Sequence, residues 1–148
     1  MVATQCPPPL RNKTYRGTIR GSQDALEQIY GEVTYRHNIS GSVLCTLSGD
    51  GSLGNPFTGT FTIQWTDTVI LLDGPEYLDW VTSRSVPLSG FPVSSNLRQI
   101  LVSRMSTGLW TEVEFDGWVS MDSTMLTGIV RVVKPMEGVN LPMGVVMR

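Results

Sequence analysis

The sequence predicts a single all-β domain, an antiparallel β-barrel or β-sandwich of about 7–9 strands with one short helix and extended N- and C-terminal arms. The 148 residues suit one globular domain. Apolar and hydroxyl side chains alternate over many short segments, and 15 Gly and 9 Pro punctuate the chain. The long helical crossovers that a parallel sheet needs are missing. We place the arms at residues 1–13 and 136–148 and the domain at residues 14–135.

The N-terminal arm is predicted from its prolines. Residues 1–13 show no periodicity, and the proline run at 7–9 favours an extended polyproline conformation. A short strand follows at 14–20. The helical pattern lies at 22–31, where Ser22 can cap the first turn and Gly31 can end the last.

Two segments show the clearest strand pattern. Residues 32–39 alternate between an apolar and a polar face, as expected of a half-buried strand. Residues 57–66 place aromatic and aliphatic side chains on one face and threonines on the other. Further strands are predicted at 42–48, 68–72 and 77–82.

The second half is predicted to contain a long loop and two hairpins. Residues 83–96 contain two prolines among serines, which predicts the longest irregular connection of the domain. The first hairpin joins 97–105 to 109–115 through a three-residue loop with Gly108 at its end. Its expected register sets Met105 opposite Leu109. Residues 118–121 and 125–133 form the final pair.

Charge and hydropathy argue against two classes of partner. The formal net charge is -2 and the sequence pI about 5.3, so a nucleic-acid partner is not expected. The longest aliphatic run, residues 69–72, is far below the roughly 18 residues of a membrane-spanning helix. The first residues lack the basic start and apolar stretch of a secretory signal, so we expect cytoplasmic synthesis, with a virion as one destination.

The residue types do not assemble a catalytic set, and we predict no catalytic residue, no cofactor and no metal ligand. His37 is the single histidine, which excludes a site with two or three histidines. Cys45 beside His37 is more typical of core packing than of a nucleophilic pair. The glycines at 49–54 have the spacing of a dinucleotide fingerprint, but a strand follows where the fingerprint needs a helix. The carboxylates at 73–79 are interpreted as turn residues.

The preferred hypothesis is a non-catalytic structural protein that packs in many copies, as in a virion or phage tail. The last 13 residues are markedly apolar and need cover, which neighbouring subunits can supply. The partners are then copies of the same chain or other structural subunits. The expected assembly contacts are Pro7, Pro8, Pro9, Leu10, Val139, Leu141, Met143, Val145 and Val146.

The alternative is a hollow barrel that binds a small apolar ligand. In its strand-rich plan alone the chain loosely resembles lipocalin-like barrels, although no lipocalin motif is present. A cofactor-free cyclase is a variant of this hypothesis, because a shaped cavity with a few polar groups can fold a reactive substrate. The expected cavity residues are Tyr35, His37, Phe57, Phe61, Ile63 and Trp65.

Overall fold

The computed structural model describes residues 8–27, 33–108 and 110–148. It confirms the all-β prediction, because the described residues form eight antiparallel strands in one sheet, in the order of the sequence. A 3-10 turn, Pro135–Glu137, joins the last two strands. The strands are β1 (Leu10–Glu27), β2 (Val33–Gly49), β3 (Thr58–Asp73), β4 (Val81–Asn96), β5 (Gln99–Gly108), β6 (Thr111–Val119), β7 (Leu126–Lys134) and β8 (Val139–Met147).

The sheet curls into a nearly closed barrel whose first and last strands meet. Arg16 and Arg148 exchange two backbone hydrogen bonds of 3.0 Å across this seam. Gly17 allows the close approach, because a Cβ there would lie 2.8 Å from the Cγ of Met147. Strand β8 therefore completes the barrel of its own chain.

The structure differs here from the predicted C-terminal arm at 136–148. Alternate residues of β8 face the interior and are buried, while those between them face solvent. Most of the apolar residues that suggested an arm are covered by the core of the same domain, whereas Met136 and Val146 are exposed. Of the predicted N-terminal arm, residues 1–7 lie outside the described part and Leu10 already belongs to β1.

On the other side of the barrel, β4 and β5 are not paired with each other over most of their length. Only residues 94–96 of β4 pair with residues 99–101 of β5. The predicted irregular connection at 83–96 is wrong, since these residues belong to β4 and most of them pair with β3. Pro87 and Pro92 suit an edge strand, because a proline has no N–H to give to a neighbouring strand. The prolines that suggested a loop mark this edge.

The predicted helix at 22–31 is also wrong within the described residues. Ser22 to Glu27 extend β1 and pair with β2. Asp24 receives two hydrogen bonds from the guanidinium of Arg36 on the neighbouring strand, at 2.8 and 3.2 Å. Residues 28–31 lie outside the described part. Cross-strand pairing overrides the local helical pattern.

The first hairpin has another register than the one predicted. Met105 lies opposite Val113, not Leu109, and the strands turn after Gly108. Gly108 and Trp110 both have positive φ, which places the turn nearer to Trp110 than the sequence pattern indicated. Arg104 then lies beside Glu114, with a nitrogen–oxygen distance of 3.2 Å.

The interior is a packed core of aromatic and aliphatic side chains. Phe61 and Phe115 stack with ring centroids 4.8 Å apart and planes inclined by 15°. Tyr15 and Trp65 are among the largest fully buried side chains. Next to Trp65 on β3 the interior also contains charged side chains, the first of which is the buried Asp67.

Candidate functional site

A buried cluster of charged side chains lies at the end of the barrel that carries the 3-10 turn. Asp67 of β3 is only 1% exposed. Its Oδ2 accepts a hydrogen bond of 2.6 Å from Nζ of Lys134, at the end of β7. The same oxygen lies 2.9 Å from Nδ1 of His37 on β2. Lys134 also lies 2.9 Å from Oε2 of Glu137. We call these four residues the floor cluster.

Local backbone structure explains how the floor cluster forms. Asp67 has the same strand parity as Ile63 and Trp65, so β3 points its carboxylate inward. Pro135 opens the 3-10 turn directly after Lys134, and Gly138 ends it in the left-handed conformation with φ 69°. The turn places the Glu137 carboxylate beside the ammonium three residues earlier.

The ion pair at the centre of the cluster stays charged near neutral pH. Burial acts to raise the pKa of Asp67, but hydrogen bonds and charge from His37 and Lys134 outweigh it and hold that pKa below 3.8. Burial likewise acts to lower the pKa of Lys134, and its two carboxylate partners raise it above 10.5. Lys134 is therefore an ammonium, which excludes it as an amine nucleophile.

Three buried polar atoms lack a hydrogen-bond partner among the described residues. They are Oδ1 of Asp67, Nε2 of His37 and Nε1 of Trp65. A buried polar atom without a partner carries a desolvation penalty of about 1–3 kcal/mol. Such atoms often mark places where a bound molecule completes the hydrogen bonding.

A cavity of about 250 Å³ lies over the floor cluster, between the hairpin of β5 and β6 and the edge strand β4. Its walls are largely apolar, and its charged groups come mainly from the floor cluster. The lining residues are Asp67, Arg84, Ser85, Val86, Pro87, Thr107, Gly108, Trp110, Thr111, Lys134, Met136 and Glu137.

Trp110 stands at the rim of this cavity in an unfavourable backbone conformation. Its φ is 58°, in the left-handed region where a residue other than glycine carries about 1–2 kcal/mol of strain. The side chain is 80% exposed although it is large and aromatic. The exposed indole is therefore free to contact a molecule in the cavity.

The floor cluster also contains three side chains of metal-binding type. One ligand atom each from His37, Asp67 and Glu137 lies within 4.8 Å of the other two. The ammonium of Lys134 already contacts both carboxylates. Lys134 thus supplies the positive charge that a metal ion would bring, and a metal would have to displace it.

The structure places the residues expected to line a ligand cavity mostly in the core. Phe57, Phe61, Ile63 and Trp65 are buried with at most 1% exposure, and the cavity described above is lined by other residues. His37 lies beneath that cavity, joined to it through Asp67. A cavity lined by these core residues stays a prediction.

The expected assembly contacts also divide into two groups. Pro8, Pro9 and Val146 are exposed, and Pro7 lies outside the described residues. The others face or adjoin the core of the same chain, and they are Leu10, Val139, Leu141, Met143 and Val145.

A nucleophilic pair of Cys45 and His37 is excluded by the topology. Both residues lie on β2, eight positions apart, which separates them by roughly 26 Å along an extended strand. Burial raises the pKa of the Cys45 thiol to about 12, which makes it unreactive near neutral pH.

Asp67, Lys134, Glu137 and Trp110 were missed by the sequence analysis. One signal was available for Asp67, since it is a charged residue in the apolar register of a strand. Another was that Lys134 follows two valines directly and precedes a proline. Neither signal identifies the partner of the charge.

Comparison with known proteins adds no further constraint. No family model, no curated protein and no solved structure matches the chain. Within the described ranges 8–27, 33–108 and 110–148, no helix has the length and apolar character needed to span a membrane.

Proposed function

We propose that this barrel binds a small, largely apolar molecule in the cavity over the floor cluster. The observation that carries the proposal is an apolar-walled cavity with a few fixed polar groups converging on its base, the usual composition of a small-molecule site. The rest of the barrel interior is filled by the side chains of the core. The ligand would therefore stay in the cavity at the end of the barrel that carries the 3-10 turn.

The rigidity of the floor cluster supports this proposal. Lys134 is held by two carboxylates, and Asp67 is held by two donors, before any ligand arrives. Groups that are already ordered lose little conformational entropy on binding, so more of the contact energy appears as affinity.

The size of the cavity limits the ligand. Its volume of about 250 Å³ is below the roughly 300–1,000 Å³ of pockets for drug-sized molecules. A molecule with one ring and a short polar arm is of suitable size. Trp110 then offers the flat surface against which such a ring can stack.

A panel of one-ring compounds tests the proposal by thermal unfolding. A ligand at 100 times its Kd adds about 2.7 kcal/mol of stability, which corresponds to a rise in Tm of roughly 5–10 °C for a domain of this size. Trp110→Ala should reduce that rise. Trp118→Ala is the matched control, because Trp118 is 57% exposed and does not line the cavity. The proposal fails if every compound raises the Tm of wild type and Trp110→Ala equally.

Assembly into a larger particle is a second proposal, and one feature of the outer surface favours it. Trp118 and Val146 both lie opposite Thr127 in the register, and Ile129 follows two residues along β7. All three apolar side chains are about half exposed. Contiguous apolar side chains on an outer face are typical of interaction surfaces.

The native mass of the protein tests the assembly proposal. A defined oligomer that Trp118→Lys dissociates supports it, and a monomer at all concentrations contradicts it. The cyclase variant concerns the cavity instead, and conversion of a bound compound into a cyclic isomer would be its direct test.

A further inference from the structure

We infer that the ligand of this cavity is a protonated amine attached to a flat apolar group, its ammonium directed at Asp67 and its flat group lying against Trp110. This inference rests on the proposed binding function and adds the chemical class of the ligand. Three features of the lining support it, namely the charge balance of the floor, the free carboxylate oxygen and the rim tryptophan.

The charge balance of the floor is negative. Among the floor residues that line the cavity, Asp67 and Glu137 bring two negative charges and Lys134 brings one positive charge. Arg84 is the other charged lining residue, but it is exposed at the rim, where water and salt screen its charge. The three floor residues that line the cavity therefore carry one net negative charge.

One carboxylate oxygen of Asp67, a residue that lines the cavity, is left without a hydrogen-bond donor among the described residues. Oδ2 is shared by Lys134 and His37, whereas the buried Oδ1 lacks a partner among the described residues. A carboxylate oxygen can only accept hydrogen bonds, so the missing partner is a donor. An ammonium is a strong one, because charge-assisted hydrogen bonds are about twice as strong as neutral ones.

The rim tryptophan suits both parts of such a ligand. A flat ring can stack on the indole of Trp110, and a cation near the indole face gains further electrostatic attraction. Val86, Pro87 and Met136 supply the remaining apolar contacts. An anionic ligand would instead face two carboxylates, since the ammonium of Lys134 is already paired with both.

Three probes that share one body separate the head groups: 2-phenylethylamine, 2-phenylethanol and 3-phenylpropanoate. Calorimetry at pH 7 and low salt gives their Kd values for the full chain. We expect the amine to bind at least about tenfold more tightly than the alcohol, the gain of one charge-assisted hydrogen bond. The acid should bind most weakly.

Two variants locate the effect. Glu137→Gln removes the surplus negative charge and should reduce the preference for the amine over the alcohol to less than about threefold. Glu112→Gln is its control, because Glu112 pairs with Arg104 and does not line the cavity. Trp110→Ala should weaken amine binding by roughly 2- to 30-fold, the range of a cation–aromatic contact.

The outcomes separate this inference from the function on which it rests. If the alcohol or the acid binds as tightly as the amine, and Trp110→Ala still weakens it, the charge inference is wrong and the binding function stands. If all three probes and the wider compound panel bind wild type and Trp110→Ala equally, both are wrong. An amine preference that survives Glu137→Gln unchanged also overturns the inference.

Discussion

Removing the ammonium of Lys134 is expected to destabilise the barrel strongly. The side chain is 8% exposed and its Nζ lies 2.6 Å from Oδ2 of Asp67, which is itself 1% exposed. Lys134→Met keeps most of the apolar stem and leaves the carboxylate with His37 as its remaining partner. Breaking a buried ion pair on one side costs about 3–5 kcal/mol, because the other charge stays desolvated. Glu137 is 27% exposed and can turn to water, so it should add little to that cost.

The cost should depend on pH in a defined direction. The pKa of Asp67 lies below 3.8 in the folded protein, so its stabilising effect is complete above that value and is lost as the pH falls through the folded pKa. Lys134→Met raises the pKa of Asp67, because burial remains while one donor and one charge are gone. Protonation of Asp67 then stabilises the folded variant, and the variant's deficit relative to wild type shrinks as the pH falls through this raised pKa.

Urea unfolding, followed by tryptophan fluorescence at pH 7, measures these free energies. A double-mutant cycle combines Lys134→Met with Asp67→Asn, and we expect a coupling energy of about 2 kcal/mol or more. Arg36→Met is the control, since the Arg36–Asp24 pair is about half exposed and screened by water, so that its loss should cost little stability. If Lys134→Met costs no more than Arg36→Met and the cycle is additive, the account of the floor cluster is refuted.

Three further changes have defined outcomes in the same unfolding assay. Trp110→Gly should stabilise the fold by about 1 kcal/mol, because glycine relieves the strain at φ 58°, while ligand binding weakens. Burial raises the pKa values of Cys45 and Tyr15 to about 12 in the folded protein. Both side chains therefore ionise at lower pH in the unfolded chain than in the folded protein, so the free energy of unfolding should fall as the pH rises from 9 to 12. Cys45→Ala should lessen that alkaline loss. Gly17→Val should destabilise by about 1–3 kcal/mol, because its Cβ would lie 2.8 Å from Cγ of Met147 at the β1–β8 seam.

Local pattern was sufficient for strands whose two faces differ. Phe61, Ile63 and Trp65 are buried, as their alternation with polar residues predicted. The local pattern did not predict β4, because prolines occur both in loops and in edge strands. Whether a proline segment is a loop or an edge strand depends on which neighbouring strand is missing, and that is not visible in the local sequence. The local pattern failed at 22–27 as well, where polar residues compatible with a helix pair with β2.

The site could not be predicted in the same way. Asp67 and Lys134 are separated by 67 residues, and their contact exists because the barrel brings β3 and β7 to one end. No local pattern encodes that approach. The apolar C-terminal residues carried a clear signal that they need cover, but the covering surface became visible only when β8 was seen beside β1.

The most direct test of the binding site uses the indole N–H signals of the four tryptophans in a proton–nitrogen NMR titration with the tightest compound of the panel. Trp110 lines the cavity, and Trp80 and Trp118 do not. We expect the Trp110 signal to shift and to saturate at the Kd measured by calorimetry, with the signals of Trp80 and Trp118 unchanged. A saturable shift of Trp118 with no shift of Trp110 would contradict the account.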